Sequence, residues 1–163
     1  MDTPWLDRQQ LAAWVRLVGV LELLPGALDT QLRRDADLTH FEYYVLAMLS
    51  EAPDRTLRMT GLARQTNATL PRLSHVVQRL EKRGLVERVP CPEDRRATNA
   101  RLTDDGWDKV VATAPSHVGA VRELVVDALT PEQVEQLATI ADAILERLDP
   151  DEAMAETYRR YDV

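Results

Sequence analysis

Asp94-Arg95-Arg96-Ala97-Thr98-Asn99-Ala100-Arg101-Leu102-Thr103-Asp104-Asp105-Gly106 is the stretch whose reading decides the fold. It follows a basic segment that closes on Gly84-Leu85-Val86-Glu87-Arg88. Together these residues predict a β-hairpin with arginines at its tip. Val86–Val89 and Ala100–Leu102 supply the strands, and Pro92-Glu93-Asp94 supplies a polar loop. Thr103 then opens a new helix. Its hydroxyl suits an N-cap, and Asp104 and Asp105 place negative charge at the positive end of the helix dipole.

Working outward, Leu70 to about Arg83 predicts a helix preceded by the turn Thr66-Asn67-Ala68. Its apolar residues Leu73, Val76, Val77 and Leu80 fall on one side, which must face a core. Pro71, His75, Gln78, Arg79 and Lys82 lie opposite. Upstream, Leu57-Arg58-Met59 predicts a short strand, and Thr60 a cap for a helix through Leu62, Ala63 and Gln65. Thr39 and Glu42 have capping-box spacing ahead of Tyr43, Leu46 and Leu49. Residues 5–34 repeat apolar side chains at helical spacing, with Pro25-Gly26 placed to kink or divide the element. Thr103 begins a helix through Val125 that Pro115 should bend or interrupt. Thr130-Pro131-Glu132-Gln133 predicts a second capping box, followed by a coiled-coil-like seam of Val134, Leu137, Ala141, Ile144 and Leu148. Residues 149–163 are mostly polar and are expected to dock only loosely.

The spacing of Asp94, Arg96, Leu102, Thr103 and Gly106, with Gly84-Leu85 upstream, resembles the winged helix-turn-helix of the multiple-antibiotic-resistance regulator (MarR) family. That family's wing reads Asp-x-Arg, a short strand, then Leu-Thr-x-x-Gly. The resemblance is motif-specific over residues 39–106 and architectural elsewhere. It implies a mainly α fold with a small β-hairpin wing, a winged helix-turn-helix flanked by N- and C-terminal dimerisation helices. The expected organisation is one domain over 1–163. Residues 5–37 and 107–148 are its dimerisation helices, 39–106 its DNA-reading unit and 149–163 its tail. Terminal helices with strong apolar faces cannot all be buried on one small module, so a twofold homodimer is expected.

A recognition helix entering the major groove presents its first two turns to base edges. That selects Leu70, Pro71, Arg72, Ser74 and His75 for base or groove contact, with Arg72 suited to a guanine edge. Asn67, Thr69 and Arg79 are placed for phosphates, and Thr69 also caps the helix. The resemblance assigns Arg96 to the minor groove, with Asp94 holding its side chain or the wing backbone. Arg95 and Arg101 are expected phosphate partners. The partner is therefore double-stranded DNA, and the function that of a sequence-specific transcriptional regulator, a ligand-responsive repressor on a pseudo-palindromic operator. In such regulators a small aromatic or anionic effector binds between the dimerisation helices and the winged unit. Trp14, Arg16, His40, Tyr43 and Tyr44 are the candidate lining.

Composition sets the remaining bounds. The formal net charge of −7 looks wrong for a DNA binder, but residues 54–101 carry 11 of the 20 basic and 5 of the 27 acidic residues. That region has a balance of +6 and the rest −13, so the charge is segregated into an attractive surface and a repulsive remainder. Arg16 and Glu22 break the apolar stretch from Leu11 to Leu24, which argues against a spanning helix or signal peptide and for a cytoplasmic protein without membrane attachment. One cysteine, Cys91, excludes an internal disulfide. Neighbouring arginines at 88, 95 and 96 raise an alternative role for it as an oxidant sensor, although no second thiol exists to resolve an oxidised form. A phosphate-binding glycine loop, a Cys-x-x-Cys pair and His-Glu-x-x-His are all missing, and His40, His75 and His117 lack ligand spacing. No enzyme, metal or cofactor is expected. The competing class is a winged-helix interaction module that dimerises without touching DNA.

Overall fold

The computed structural model describes residues 3–162. In chain order the elements are α1 (Arg8–Ala36), α2 (His40–Glu51), β1 (Thr56–Arg58), α3 (Met59–Gln65), α4 (Leu70–Lys82), β2 (Val86–Pro90), β3 (Thr98–Leu102), α5 (Asp104–Leu124), α6 (Pro131–Leu148) and α7 (Ala155–Tyr158). Helices α2 to α4 and the three-stranded antiparallel sheet, ordered β1-β3-β2, form a winged head. Ala100 sits at its centre, opposite Leu57 on one side and Arg88 on the other.

The head holds the core. Leu32 at the end of α1 meets Val45, Leu46 and Leu49 of α2, Leu62 of α3, and Leu73, Val77 and Leu80 of α4, all fully buried. Each such side chain contributes about 1.5–3 kcal/mol through removal from water. The α4 stripe is the one its sequence spacing predicts. Strand β1 ends one residue earlier than expected, and α3 starts at Met59 with Arg58 as an N-cap that makes no side-chain bond. Thr60 is thus inside the helix and is not its cap, because pairing with β3 keeps the backbone extended only through Arg58.

Of the kink-or-divide and bend-or-interrupt expectations at Pro25 and Pro115, division and interruption are not observed. α1 is a single 29-residue helix running through Pro25, and α5 runs through Pro115 without a break. Each proline removes one ladder bond, yet each helix is anchored on both sides. The Asp7–Gln10 capping box starts α1, and Leu28, Leu32 and Ala36 bury its end. In α5, Val110 and Thr113 are buried before the proline, and His117 bonds to α1 after it.

The hairpin closes where its sequence says it should. Thr103 N–H donates to the Leu85 carbonyl at 3.1 Å, and its hydroxyl donates to the Gly84 carbonyl at 2.6 Å while accepting from Gly106 N–H at 3.0 Å. Gly84 has φ 72°, where a side chain would be strained. Gly106 lies so close to β2's approach that a Cβ would collide with the Leu85 carbonyl oxygen and sit 2.6 Å from Leu102 Cδ1.

The outer helices are a different case. None of α6 is buried, although Thr130 and Gln133 form the predicted capping box and Val134, Leu137, Ile140, Ile144 and Leu148 line its surface. Trp14, Val20, Leu21 and Leu23 of α1 are likewise exposed, Leu23 by 75%. α1 is long and apolar enough to cross a membrane by length and composition alone, which corrects the expectation that no segment could. Arg16 and Glu22 interrupt its apolar stretch and its last turns belong to the head core, so a partner helix suits it better than lipid. The tail also departs from expectation, because α7 docks back against α2 and α3.

Gly106→Ala should lower unfolding stability by about 1–3 kcal/mol, the scale of an overpacked site, in urea denaturation followed by circular dichroism. Gly61→Ala, with open space around the added methyl, should cost far less.

Candidate nucleic-acid interface

The helix-turn-helix is α3, a four-residue turn and α4. Asn67 takes the left-handed conformation, φ 49°, that an asparagine tolerates better than most residues. Thr69 accepts the Arg72 backbone N–H at 3.3 Å, so it caps α4 as expected. With Leu73, Val76, Val77 and Leu80 turned inward, Leu70, Pro71, Arg72 and His75 are exposed and Ser74 is half-buried.

A cleft of about 420 Å³ separates α4 from the wing, lined by Arg58, Thr60, Leu70, Ser74, Arg88, Asp94 and Arg96. Arg88 sets its width: its guanidinium donates to the Ser74 carbonyl at 2.7 Å and to the Ser74 hydroxyl at 3.2 Å, tying β2 to the outer helix. At the wing tip the Asp94 carboxylate accepts Arg96 N–H at 3.0 Å, and the Asp94 carbonyl accepts Ala97 N–H at 2.9 Å. Asp94 therefore organises the wing backbone rather than holding the Arg96 side chain. Among the described residues Arg95 and Arg96 make no ion pair, which leaves two guanidinium groups available at the tip.

Three other arginines are already engaged. The Arg72 guanidinium stacks 4.1 Å over the Phe41 ring of α2. Arg101 pairs across the hairpin with Glu87 at 2.7 Å. Arg79 pairs at 2.7 Å with Glu42, a carboxylate only 2% exposed. The other oxygen of Glu42 accepts Thr39 N–H at 2.8 Å as part of the α2 capping box. Thr39 and Glu42 were legible from their spacing; their partner on α4 was not, because nothing local links residues 42 and 79.

Cys91 is buried where β2 runs into the wing loop, its backbone N–H donating to the Ala97 carbonyl at 3.1 Å. Its sulfur accepts from Arg58 of β1 at 3.4 Å, which corrects the expectation that Arg88, Arg95 or Arg96 would be its neighbour. The Arg58 guanidinium, followed by the backbone N–H of Glu93, holds the thiol below its usual range.

At the junction of α1, α2 and α5, His117 stacks on Tyr43 at 4.6 Å and lies 6.3 Å from His40. His117 Nδ1 lies 3.1 Å from the Gln31 side-chain Oε1, and the Gln31 side-chain Nε2 donates to Asp35 Oδ2 at 2.9 Å. Asp29 accepts His40 backbone N–H at 2.8 Å and pairs with Arg33. Burial pushes both imidazoles below the ordinary value of 6.5.

A family model described as MarR family matches residues 36–97. Sco3205, a MarR family transcriptional regulator from Streptomyces coelicolor whose crystal structure is in complex with DNA, superposes with a TM-score of 0.88 at 45% identity, over 93% of this chain and 94% of that one. The chain belongs to the MarR family. Two Bacillus subtilis relatives agree. The HTH-type transcriptional regulator YdcH is 35% identical over 83 residues, 48% of this chain and 55% of that protein, so the chain spans about half its length. The HTH-type transcriptional repressor YetL is 24% identical over 139 residues, 80% of this chain and 83% of its own.

Of the residues that the MarR resemblance nominates for an effector, His40 and Tyr43 come together, joined by His117, which sequence reasoning considered only as a metal ligand. Trp14 and Arg16 do not join them within one chain. Both lie on the exposed part of α1, where Arg16 donates to its own helix at Ala12 and borders an apolar groove with Leu23, Leu24, Leu124 and Val125. Tyr44 points elsewhere, its hydroxyl donating to the Gln65 carbonyl at 3.0 Å.

Two outcomes follow from this geometry. Arg79→Ala removes the nearer of two guanidinium partners of the buried Glu42 carboxylate, leaving Arg83 at 4.0 Å, and should lower the thermal midpoint, whereas Arg96→Ala should leave it unchanged and weaken duplex binding by about 1–3 kcal/mol in a mobility-shift titration. Because the folded imidazoles of His40 and His117 prefer to be neutral, the unfolded chain binds more protons just below pH 6.5. Stability should therefore be complete above that value and fall as the pH drops through the depressed folded values. Thermal melts between pH 7.5 and 5 should show this fall, and His117→Gln should reduce it.

Proposed function

We propose that this MarR-family regulator is a homodimeric repressor that straddles a pseudo-palindromic operator in the cytoplasm. In this reading α4 sits in the major groove and the wing arginines in the flanking minor groove. The observation that carries it is the pairing of an exposed α4 face with a wing tip where Arg95 and Arg96 make no ion pair among the described residues. The likeness to a regulator crystallised with DNA supports the same reading. Residues 67–79 and the wing from Asp94 to Arg101 are the proposed contact set: Asn67, Thr69, Arg95 and Arg101 toward phosphates, and Leu70, Pro71, Arg72, Ser74 and His75 toward base edges. Arg79 is assigned to support α4 first and to phosphate second, since its ion pair already occupies one edge of its guanidinium.

Residues 5–37 and 107–148 are proposed as the dimerisation helices, around the winged unit 39–106. The exposed apolar residues of α1 and α6 support this, because a single chain leaves them in water at a cost of about 25 cal/mol per Å². Two heads so joined would meet half-sites about 34 Å apart. The junction of His40, Tyr43 and His117 is the proposed effector contact, aromatic on one side and polar on the other, where a small aromatic or anionic molecule would bias the angle between α5 and the head. Repression is favoured over activation by likeness to a named repressor.

Genomic fragments selected by the purified protein should yield a twofold-related site. On that site log affinity should fall linearly with log salt with a slope of several units, while sedimentation reports a dimer. A chain that remains monomeric, or that binds no duplex at low ionic strength, overturns the proposal in favour of a protein-interaction module.

A further inference from the structure

Beyond α6 the chain turns back on itself. The Asp149 carboxylate accepts Ala153 N–H at 2.8 Å and Met154 N–H at 2.9 Å, and Tyr158 hydroxyl donates to it at 3.1 Å. That turn is a staple, and the donors hold the Asp149 carboxyl below the usual carboxylate range. Past it, α7 lies between two bodies. Tyr158, Arg159 and Asp162 border a small cavity with Asp142, Leu145 and Glu146 of α6. On the opposite side, Thr157 hydroxyl donates to the Gln65 carbonyl at 3.1 Å, Glu156 accepts from the Gln65 amide at 2.7 Å, and Arg160 and Tyr161 both bond to Glu51 at the end of α2.

Gln65 is the last residue of α3, two before the left-handed Asn67, and it is buried. Its carbonyl is also the acceptor for Tyr44 of α2, so α2, α3 and the C-terminal segment converge on one oxygen. α6 itself buries no residue and packs little against the head. The segment is therefore a second attachment between α6 and the helix-turn-helix, independent of the route through α5.

We propose that residues 149–162 are a strap that fixes the angle of the helix-turn-helix to the dimerisation helices of its own chain, with Glu156, Thr157 and Arg160 as positioning residues for operator binding. The inference rests on the DNA-binding dimer proposed above. A head free to swivel would meet its half-site correctly only part of the time, and the apparent dissociation constant rises in inverse proportion to that fraction. The strap acts at the turn that aims α4, touches no DNA, and carries its effect through Gln65.

The test compares the full chain, a chain ending at Pro150, and the full-length variants Thr157→Val and Thr157→Ser. Nitroxide labels at Gln78→Cys in a Cys91→Ala background report the distance between the two α4 helices in the free protein. A mobility-shift titration on the selected operator at fixed salt reports affinity, and sedimentation reports the dimer. Truncation should broaden the distance distribution and weaken operator binding about tenfold with the dimer intact. Thr157→Val should move both readouts the same way by a smaller factor, and Thr157→Ser should restore them. An unchanged distribution and affinity after truncation overturn the strap. Equally, it is overturned if Thr157→Val loses affinity only in step with loss of the dimer or of the fold. Should the truncated chain fail to fold, the valine and serine variants decide. Should the full chain bind no duplex, the DNA-binding reading fails while the distance measurement still decides the strap.

Discussion

The head depends on the Glu42 carboxylate. One of its oxygens closes the N-terminus of α2 through Thr39, and the other receives Arg79 from the last turn of α4. A carboxylate this deeply buried is tolerated only when donors satisfy it, and here the donors come from two different helices. Arg83, at the end of α4, adds a bond to the Asp37 carbonyl just before the same cap. The outer helix of the helix-turn-helix is thus referenced to α2, and through Asp29 and His40 to the end of α1. Apolar packing holds the head together; this polar relay ties α4 to α2 and α1.

What the chain reveals by eye follows from the range of each interaction. Capping boxes at Thr39 and Thr130 and the caps at Thr69 and Thr103 are local, with partners three residues apart, and the wing strands lie within one short stretch of sequence; the structure contains each of them. The apolar stripe of α4 was legible for the same reason. Interactions between distant residues were not. Arg58 beside Cys91, Arg88 on Ser74, Arg72 over Phe41 and His117 against Tyr43 each join elements whose relative placement no local pattern encodes. Pro25 and Pro115 divide neither helix, because each helix is anchored on both sides of its proline. Gly106 shows the two kinds together. Its spacing from Thr103 belongs to the hairpin signature, but the reason for a glycine lies in the Leu85 carbonyl that passes over it.

Charge and apolar surface are divided along the same boundary. The basic excess of residues 54–101 lies on the head, where α4 and the wing share one cleft. The acidic excess lies mostly on the flanking helices, which also carry the uncovered leucines and valines. An acidic rim around an apolar face repels polyanions while leaving hydrophobic association intact, so a surface suited to a protein partner and one suited to phosphates are kept apart on a chain of this size. Arginine at the wing tip suits the proposed DNA-binding role further, because a planar fork presents more than one donor at once.

The bareness of α6 has a thermodynamic corollary. A helix of 18 residues that buries nothing on its own chain is marginal in water, so in the proposed dimer its order would be acquired as two subunits meet. Assembly of the proposed dimer is then partly a folding reaction of second order. Dilution would melt the extremities while the winged heads persist, and the apparent melting temperature would climb with protein concentration as it does for any obligate pair.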